Sequence, residues 1–566
     1  MYSLCGQDLF NDLEIFHSYN HEKNDTVIHF FEKNAYNKGC MQYIINKIQK
    51  PLHDINELKN LQNDIINLEK VYNNNNEIVD KHINIVKNNE NCIEWMNSYT
   101  EDDLFSVFDT VYFKFFAFTK IGCNSSSSLL TCNNLYNIAI SPLIGVMSPI
   151  IYFLIPYVVL VFRMKIKMSF ITYIKTLYSS IVSFPIRNTS FLSIQCISYI
   201  FSLFLYFQGL FNSYELSKNS FKICSYIVSK MNGVINYVNS CKELLEIFER
   251  PSKINIKPII SVNTESYDFG KQLVLFKNIN IDSLNNIYNE SNLLLSLLTI
   301  MKVRINKNMC FTEFIEKDTT YLYMENSSHL LIDNPVTNTI TLNSENCVIT
   351  GPNAAGKSTF IKSTSLNILL SQTMGISCSS VCKITPFYYI NTQINIPDSK
   401  GVESLFEAEM FRCKYNIDIV KELPTNYKSF IVFDEIFSST NIIEGISGAY
   451  AILDKLSKYK NTLIIITTHY LYLTKLPNFK KIKFIADIID SDSQQSDIID
   501  SQQSDIIDSQ QSDIIDSQQN NIITYNYKIQ NGISKQFIAL DILKSKFLDD
   551  LDIIEKAMSI KNKLLV

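Results

Sequence analysis

The most constraining feature of the sequence is a loop of small residues between a strand-like run and a helix-like run. The apolar run Cys347–Ile349 leads through Thr350 into GPNAAGKS, which spans Gly351–Ser358. The residues that follow, from Thr359 onward, are compatible with a helix. Glycines in such a loop let backbone N–H groups close on phosphate oxygens, and the helix N-terminus adds partial positive charge. The pattern predicts a phosphate-binding loop.

Two side chains of this loop are predicted to act on a nucleoside triphosphate. Lys357 would place a full positive charge beside the β- and γ-phosphates, and the Ser358 hydroxyl would be a Mg²⁺ ligand. ATP and Mg²⁺ are therefore the predicted cofactors. The predicted ATP-binding residues are Gly351, Pro352, Asn353, Ala354, Ala355, Gly356, Lys357, Ser358 and Thr359.

A pair of acids follows a second apolar run, SFIVFDEI at Ser429–Ile436. Such a run is typical of a buried parallel strand whose tip reaches a ligand crevice. Asp434 is predicted to hold the metal through water, and Glu435 to orient or deprotonate the attacking water. Two adjacent acids near one phosphate site are costly without a cation, so Mg²⁺ explains them better than stability does. The alternative is a surface acidic turn after a strand.

A third apolar run, NTLIIITTHY at Asn461–Tyr470, ends in Thr468 and His469. A histidine at the carboxyl end of a strand can sense the γ-phosphate through a hydrogen bond. The alternative is a histidine with a purely structural role. Because this run follows the acidic pair in the expected order, His469 is predicted to be a second catalytic residue.

Composition excludes some classes of protein. The chain has 566 residues, 46% of them hydrophobic, so it can bury two or three domain cores. A net charge of −5 gives no global attraction to DNA, so any contact with nucleic acid must come from local patches. The thirteen cysteines are scattered, and no secretory signal is recognised at the N-terminus. These features predict an intracellular, reducing compartment, with membrane association as an added alternative.

Most of the chain before the phosphate-binding loop has helical periodicity. Apolar residues recur at spacings of three and four between Ile44 and Leu68, and again between Ile227 and Leu245. The tract Asn73–Asn76 is predicted to be a loop. Short strands are predicted around Leu273–Phe276 and Tyr321–Met324, and the α/β section is predicted to begin near Leu330.

Two long uncharged runs, 138–162 and 191–211, are each long enough to cross a bilayer, for which about 20 residues suffice. They predict a membrane hairpin, while buried helices or a dimer interface remain the alternatives. The segment between them contains five basic residues and no acid, and these are Arg163, Lys165, Lys167, Lys175 and Arg187. The positive-inside rule conflicts with a simple hairpin that crosses the bilayer. The runs could instead dip into one leaflet, with the basic segment against anionic lipid headgroups.

An acidic octapeptide, DIIDSQQS, occurs at Asp497–Ser504 and Asp505–Ser512, and once more with a final Asn at Asp513–Asn520. Its composition favours a disordered insertion, spanning 487–520, over a short β-arch.

Taken together, ITGPNAAGKST, FDEIFSSTNIIEGIS and TTHY resemble the ATPase domain of the MutS family of DNA mismatch-repair proteins. The resemblance implies an ABC-type P-loop ATPase domain of α/β fold, preceded by a mainly α-helical MutS core or lever domain with two very hydrophobic helices. The usual Met-Gly of the family's loop is Ala354-Ala355 in this chain. The family's Gly-Arg after the second acid is absent, since Phe437–Asn441 reads FSSTN.

The resemblance also implies partners. The segment SLFEAEM begins at Ser404, which would contact the γ-phosphate held by another subunit. The implied active form is a homodimer or a MutS-like heterodimer, and the implied substrate is DNA. The lever resemblance starts near residue 1 and no Phe-x-Glu wedge is found, so a mismatch-recognition domain is expected to be absent. The chain resembles truncated, membrane-segment-bearing MutS-related proteins more than it resembles a full mismatch sensor.

These observations predict four regions. They are a first lever part at 1–135, the hydrophobic pair at 136–214, the remaining lever at 215–329 and the ATPase domain at 330–566. The predicted function is an ATP-dependent, DNA-binding MutS-type ATPase related to mismatch repair. One alternative is a membrane-associated ATPase that acts on a membrane or protein partner, and another is a degenerate ATPase that binds nucleotide as a structural clamp. Tyr321 and Tyr323 are candidates for stacking on the adenine.

Overall fold

A computed structural model of the protein describes residues 3–18, 26–98, 111–182, 189–249, 269–394, 405–489, 522–536, 538, 540, 543 and 551–564. Within these ranges, the side chains of residues 152–153, 180–182, 189–200, 488–489 and 522–523 and of part of the last helix are outside the description.

In chain order, the helices are α1 Leu9–Asp12, α2 Val27–Asn34, α3 Lys38–Ile48, α4 Ile55–Asn97, α5 Phe116–Lys120, α6 Ser127–Leu135, α7 Ser141–Val158, α8 Phe170–Val182, α9 Thr189–Ile247, α10 Phe269–Asn278, α11 Ile281–Asn306, α12 Lys357–Met374, α13 Leu405–Glu422, α14 Ile442–Ser457 and α15 Leu551–Leu564. The strands are β1 Leu4–Cys5, β2 Cys310–Phe314, β3 Tyr321–Ser327, β4 Asn338–Asn343, β5 Asn346–Thr350, β6 Ile376–Ser377, β7 Val381–Ile384, β8 Tyr389–Gln393, β9 Ser429–Asp434, β10 Thr462–Thr467, β11 Phe479–Lys483, β12 Ala486–Ile489, β13 Ile522–Tyr525 and β14 Gln530–Asn531.

The chain forms two compact units, one of Met1–Asn74 with Asn292–Val566 and one of Asn75–Ser291. The first boundary falls within α4, where the backbone of Asn75 leaves helical geometry (φ −135°, ψ 23°). The loop predicted at Asn73–Asn76 coincides with this kink, where two helical segments meet at Asn75, although the neighbouring residues of the tract stay helical. The four predicted regions remain predictions.

A seven-stranded sheet organises the first unit, in the order β1-β8-β9-β10-β5-β11-β14. All neighbours are parallel except β11 and β14. Every residue of β5, β8 and β10 is buried, as expected for central parallel strands covered on both faces. The α/β part of the chain thus lies towards the C-terminus, after mainly helical segments, as the sequence predicts.

The N-terminal residues depart from the predicted helical character. They form β1, which adds to the edge strand β8 with Leu4 opposite Tyr389. The N–H of Leu4 donates to the carbonyl of Tyr388, and the N–H of Gly6 donates to that of Ile390. Edge strands offer unpaired backbone groups to any extended segment that can reach them. The start of the chain is therefore part of the same sheet as β5, the strand before the predicted phosphate-binding loop.

A five-stranded sheet, in the order β4-β3-β7-β2-β6, accompanies the first. The strand predicted around Tyr321–Met324 is confirmed as part of β3. The start predicted for the α/β section, near Leu330, is too late because strand β2 already begins at Cys310. Strand β2 has only five residues, too few for an alternating pattern to stand out, which is why the sequence pattern does not reveal it.

The second unit is helical in the residues that the structure describes. The periodic residues of α9 form its buried face, as predicted, and these are Ile227, Met231, Val234, Val238, Cys241 and Leu245. The strand predicted at Leu273–Phe276 is wrong, because this run lies in α10 with Leu273 and Phe276 buried. A short apolar run cannot by itself distinguish a strand from one face of a helix.

Within the described part of the chain, one helical stretch, Ser127–Ile151, is long and apolar enough to cross a membrane, and only 6% of its apolar window is buried. A shorter apolar helix, Leu154–Arg163, continues from it. The second predicted run, 191–211, lies in α9, but its side chains up to residue 200 are outside the description. The predicted hairpin of two membrane helices therefore remains a prediction.

Candidate functional site

Three neighbouring strand ends bring the predicted site residues together. Strand β10 lies between β9 and β5, with Thr467 opposite both Asp434 and Ile349. The three strands are parallel, so their carboxyl ends meet at one edge of the sheet. This edge holds the phosphate-binding loop, the acidic pair and the Thr468–His469 pair, which the sequence predicts to act together.

The loop connects β5 to α12 with a tight backbone path. Gly356 has φ +95°, a conformation that side chains with a Cβ atom rarely adopt, and a Cβ added at this position would lie only 3.1 Å from the Tyr527 ring. A Cβ on Gly351 would lie 2.9 Å from the Cβ of Phe484. Both glycines are therefore required by the loop geometry. Helix α12 begins at Lys357, with its N-terminus at the loop.

The Lys357 ammonium is buried inside the loop. Its Nζ lies 3.1 Å from the carbonyl oxygen of Gly351 and 3.2 Å from that of Pro352. It also lies 3.2 Å from Nε2 of His469 and 3.5 Å from Oε1 of Glu435. Burial lowers the pKa of Lys357, and the nearby carboxylates oppose this shift. The ammonium thus reaches both the loop and the residues at the ends of β9 and β10.

Asp434 sits among hydroxyl groups. The Thr467 hydroxyl donates to Oδ1 of Asp434, and the Ser358 hydroxyl also hydrogen-bonds to this carboxylate. Burial raises the pKa of Asp434, and these two hydrogen bonds act against the shift. The serine hydroxyl and the carboxylate are hard oxygen donors side by side. This donor set suits Mg²⁺, which takes few protein ligands and completes its octahedron with water and phosphate oxygens.

Glu435 has a left-handed backbone conformation, and it is in close contact with several polar groups. Its φ is +50°, in the left-handed region, and its N–H donates to the carbonyl of Thr467 at 3.0 Å. Oε1 of Glu435 lies 2.9 Å from Nε2 of His469. The hydrogen bond from His469 lowers the pKa of Glu435, while burial opposes it. The carboxylate is therefore held ionised between an imidazole and the Lys357 ammonium.

A cavity of about 630 Å³ opens beside the loop. Its volume falls within the range of small-molecule sites, roughly 300–1,000 Å³. The loop side is lined by Asn353, Ala354, Gly356, Lys357, Ser358, Thr359 and Glu435. The other lining residues are ones that the sequence pattern does not single out, among them His329, Val336 and Tyr527.

These additional residues come from distant parts of the chain. Tyr527 follows β13, and its carbonyl accepts a hydrogen bond from the Asn338 side chain at 3.0 Å. Tyr321 and Tyr323, the candidates for base stacking, do not line the cavity. Burial lowers the pKa of His329 to about 4, so this ring is neutral at physiological pH. No local motif marks these positions. Ser404, predicted to contact a second subunit's nucleotide, lies outside the described residues.

Comparison with known proteins agrees with this arrangement. Residues 347–565, which include the loop, the acidic pair and His469, match the family model described as MutS domain V. This part of the chain is a MutS domain V. The resemblance to the MutS family is therefore confirmed for this domain.

Curated relatives match over limited segments. An endonuclease MutS2 of Staphylococcus epidermidis is 29% identical over 175 residues, which are 30% of this chain and 22% of the relative. A DNA mismatch repair protein MutS of Persephonella marina is 37% identical over 131 residues, 23% of this chain and 14% of the relative. An endonuclease MutS2 of Streptococcus uberis is 31% identical over 186 residues, 32% of this chain and 22% of the relative. The matched segments thus span less than a quarter of each of these relatives.

Proposed function

We propose that the protein is an ABC-type P-loop ATPase of the MutS family that binds and hydrolyses ATP and couples this cycle to DNA. The single observation that carries the proposal is the meeting of Lys357, Ser358, Asp434, Glu435 and His469 at one sheet edge, beside a cavity of suitable volume. The match of this region to MutS domain V supports it.

The loop would bind the triphosphate through backbone N–H groups and the N-terminus of α12. Lys357 would neutralise charge on the β- and γ-phosphates. To do so its ammonium must leave the Glu435 carboxylate, 3.5 Å away, and turn to the phosphate oxygens. Binding of nucleotide would thus free Glu435 for its own role. The Ser358 hydroxyl and Asp434 would hold Mg²⁺, which supplies positive charge at the phosphates when bound.

Glu435 would act on the attacking water. A carboxylate with a lowered pKa is ionised at neutral pH and can accept a hydrogen bond or a proton from water. The imidazole of His469, 2.9 Å away, fixes the orientation of the carboxylate and lies next to the place expected for the γ-phosphate. Catalysis of this kind consists mostly of positioning and charge neutralisation.

The cavity has room for the adenine base and the ribose of ATP. Tyr527 and Val336 both line the cavity, and the Tyr527 ring offers a flat surface on which a base could pack. We therefore place the adenine against Tyr527 in this proposal, in place of Tyr321 or Tyr323.

DNA is proposed as the substrate class because the relatives include a DNA mismatch repair protein and endonucleases. Dimerisation, with Ser404 completing the partner's nucleotide site, belongs to the same proposal. A relation to DNA mismatch repair also belongs to this proposal.

Equilibrium nucleotide binding and steady-state hydrolysis, each with and without homoduplex, mismatched and branched DNA, test the proposal. Glu435→Gln should abolish turnover while ATP still binds, and Lys357→Ala should lose ATP binding. Retention on DNA that falls with salt would support the DNA role. A parent protein without nucleotide affinity, or one indistinguishable from Lys357→Ala, would refute the ATPase proposal.

A second candidate function is that of an ATPase acting on a membrane or protein partner instead of DNA. The exposed apolar stretch Ser127–Ile151 favours it, because soluble helices rarely leave such a surface uncovered. Recovery of the protein in carbonate-washed membranes, without DNA retention, would favour this candidate.

A further inference from the structure

The apolar stretch Ser127–Ile151, with the helical residues that follow it up to Val161, is the first arm of a helical hairpin in the second unit. Helix α9 is the second arm. The Ser217 hydroxyl donates to the carbonyl of Ile138, and the Ser141 hydroxyl lies 3.3 Å from that of Ser213. Further along, the Tyr206 hydroxyl donates to the carbonyl of Val146 at 3.3 Å. The partner number falls as the residue number rises, so the two arms run antiparallel.

Large apolar side chains cover the outside of the first arm. The exposed ones are Leu143, Ile144, Val146, Met147, Ile150, Ile151, Leu154, Ile155, Val158 and Val159. They recur at spacings of three and four residues and so form one broad face of the helix, and no residue of the stretch is charged. A helix that is apolar all round belongs in a protein core or in lipid. Since these side chains are exposed in the folded chain, an external apolar phase is the environment that suits them.

The residues beyond the first arm, Phe162–Tyr178, form a segment that we call the tip. Helix α8 within it is amphipathic, with Ile171, Ile174 and Tyr178 exposed along one face. The other side of α8 is anchored to the arm, since the Tyr173 ring lies 5.3 Å from that of Tyr157. The Tyr157 hydroxyl also donates to the carbonyl of Met168 at 3.3 Å. The tip is therefore a defined structure with an uncovered apolar face.

Basic side chains are interleaved with this apolar face. Arg163, Lys165, Lys167 and Lys175 are all exposed. The sequence contains no acidic residue between Asp109 and Glu215. No carboxylate on this part of the chain can neutralise the cations. Exposed Phe, Ile and Tyr among Lys and Arg are typical of helices that lie at the headgroup level of a bilayer.

We propose that the tip is a binding site for an anionic lipid bilayer, with α8 in the interface and the four cations against negatively charged headgroups. The apolar residues enter the acyl boundary while the lysine and arginine side chains extend back to the headgroups. Duplex DNA would satisfy the cations, but it would leave Phe162, Ile171 and Tyr178 in water, where they are 75%, 68% and 69% exposed. Lipid satisfies both sets of side chains. The inference does not require ATP hydrolysis, so its test is separate from that of the proposed ATPase.

The test is flotation of the full chain, made by cell-free synthesis in the presence of vesicles. The vesicles contain phosphatidylcholine alone or with phosphatidylserine. The variant replaces Arg163, Lys165, Lys167 and Lys175 with glutamine. A matched control replaces four exposed lysines of the first unit with glutamine, and these are Lys414, Lys421, Lys455 and Lys460. Both variants lose the same charge, so non-specific attraction changes equally.

The parent is expected to float with phosphatidylserine vesicles and to lose this binding at high salt. The tip variant should bind at least about tenfold more weakly, because it loses four cations that are each attracted to an anionic surface. The control should match the parent. Replacing Ile171 and Tyr178 with serine should also weaken flotation.

Three results would overturn the inference. The first is equal flotation of the parent with both vesicle types. The second is an equal loss of vesicle binding in the tip variant and the control. The third is displacement of the parent from vesicles by duplex DNA, together with a loss of DNA binding in the tip variant.

Discussion

Replacing Thr467 with valine tests how the two acids at the end of β9 are held. The Thr467 hydroxyl donates to Oδ1 of Asp434 and accepts from the backbone N–H of Glu435, 3.2 Å away. The side chain is fully buried, and valine has nearly the same shape. The backbone bond from Glu435 to the Thr467 carbonyl, at 3.0 Å, is independent of the hydroxyl. The substitution therefore removes one hydroxyl and leaves the strand pairing in place.

The expected effect follows from the charge on Asp434. A hydrogen bond to a charged group contributes about 2 kcal/mol, which corresponds to a change of about thirtyfold. Because Asp434 is a proposed Mg²⁺-holding residue, the loss should appear as a higher Mg²⁺ requirement and a lower kcat/KM for Mg·ATP. Nucleotide affinity measured without Mg²⁺ should change little. Thr467→Ser keeps the hydroxyl and should stay close to the parent.

The assay is ATP hydrolysis at varied Mg²⁺, with equilibrium binding of ATP in the presence and absence of the metal. Thr462→Val is the matched control, since Thr462 lies at the other end of β10 and its hydroxyl pairs with the neutral Ser429 hydroxyl at 2.9 Å. An unchanged Mg²⁺ requirement in Thr467→Val, or an equal change in the control, would refute this explanation of how Asp434 is held.

Three further predictions concern the same site. Tyr527→Ala should weaken ATP binding by about threefold to tenfold, as expected for a lost ring contact, with kcat little changed. Tyr323→Ala, outside the cavity lining, is its control in a binding titration. Asp434→Asn should raise the melting temperature in the absence of Mg²⁺, because the raised pKa of Asp434 means that its ionised form is disfavoured in the fold. Proton linkage sets the sign of this effect. The parent loses stability relative to the variant as pH rises through the pKa of Asp434, so the difference in melting temperature, measured by scanning fluorimetry, should shrink towards acidic pH. A difference that grows towards acidic pH would contradict the prediction. Gly356→Ala should lose nucleotide binding, since alanine is strained at φ +95° and its methyl group would meet Tyr527, and binding at the parental level would show that the loop can relax.

Local patterns in the sequence predict much of the site. The strand before the loop, the helix after it and the apolar runs before the acids and His469 each depend on neighbours only a few residues apart. Backbone hydrogen bonds and burial periodicity act over the same short range, so such elements can be predicted directly from the residues. Where the local signal is ambiguous, as at Leu273–Phe276, the same reasoning fails.

Tertiary structure decides the rest. That β1 joins β8, that β10 lies between β9 and β5, and that Tyr527 closes the cavity all depend on segments far apart along the chain. The identity of Leu4 or of Tyr527 does not specify which distant strand or loop that residue will contact. By itself the sequence determined which residues could bind a phosphate and its metal. The packing of the sheet determined which side chains surround them, because burial and strand pairing are satisfied only when the whole unit is assembled.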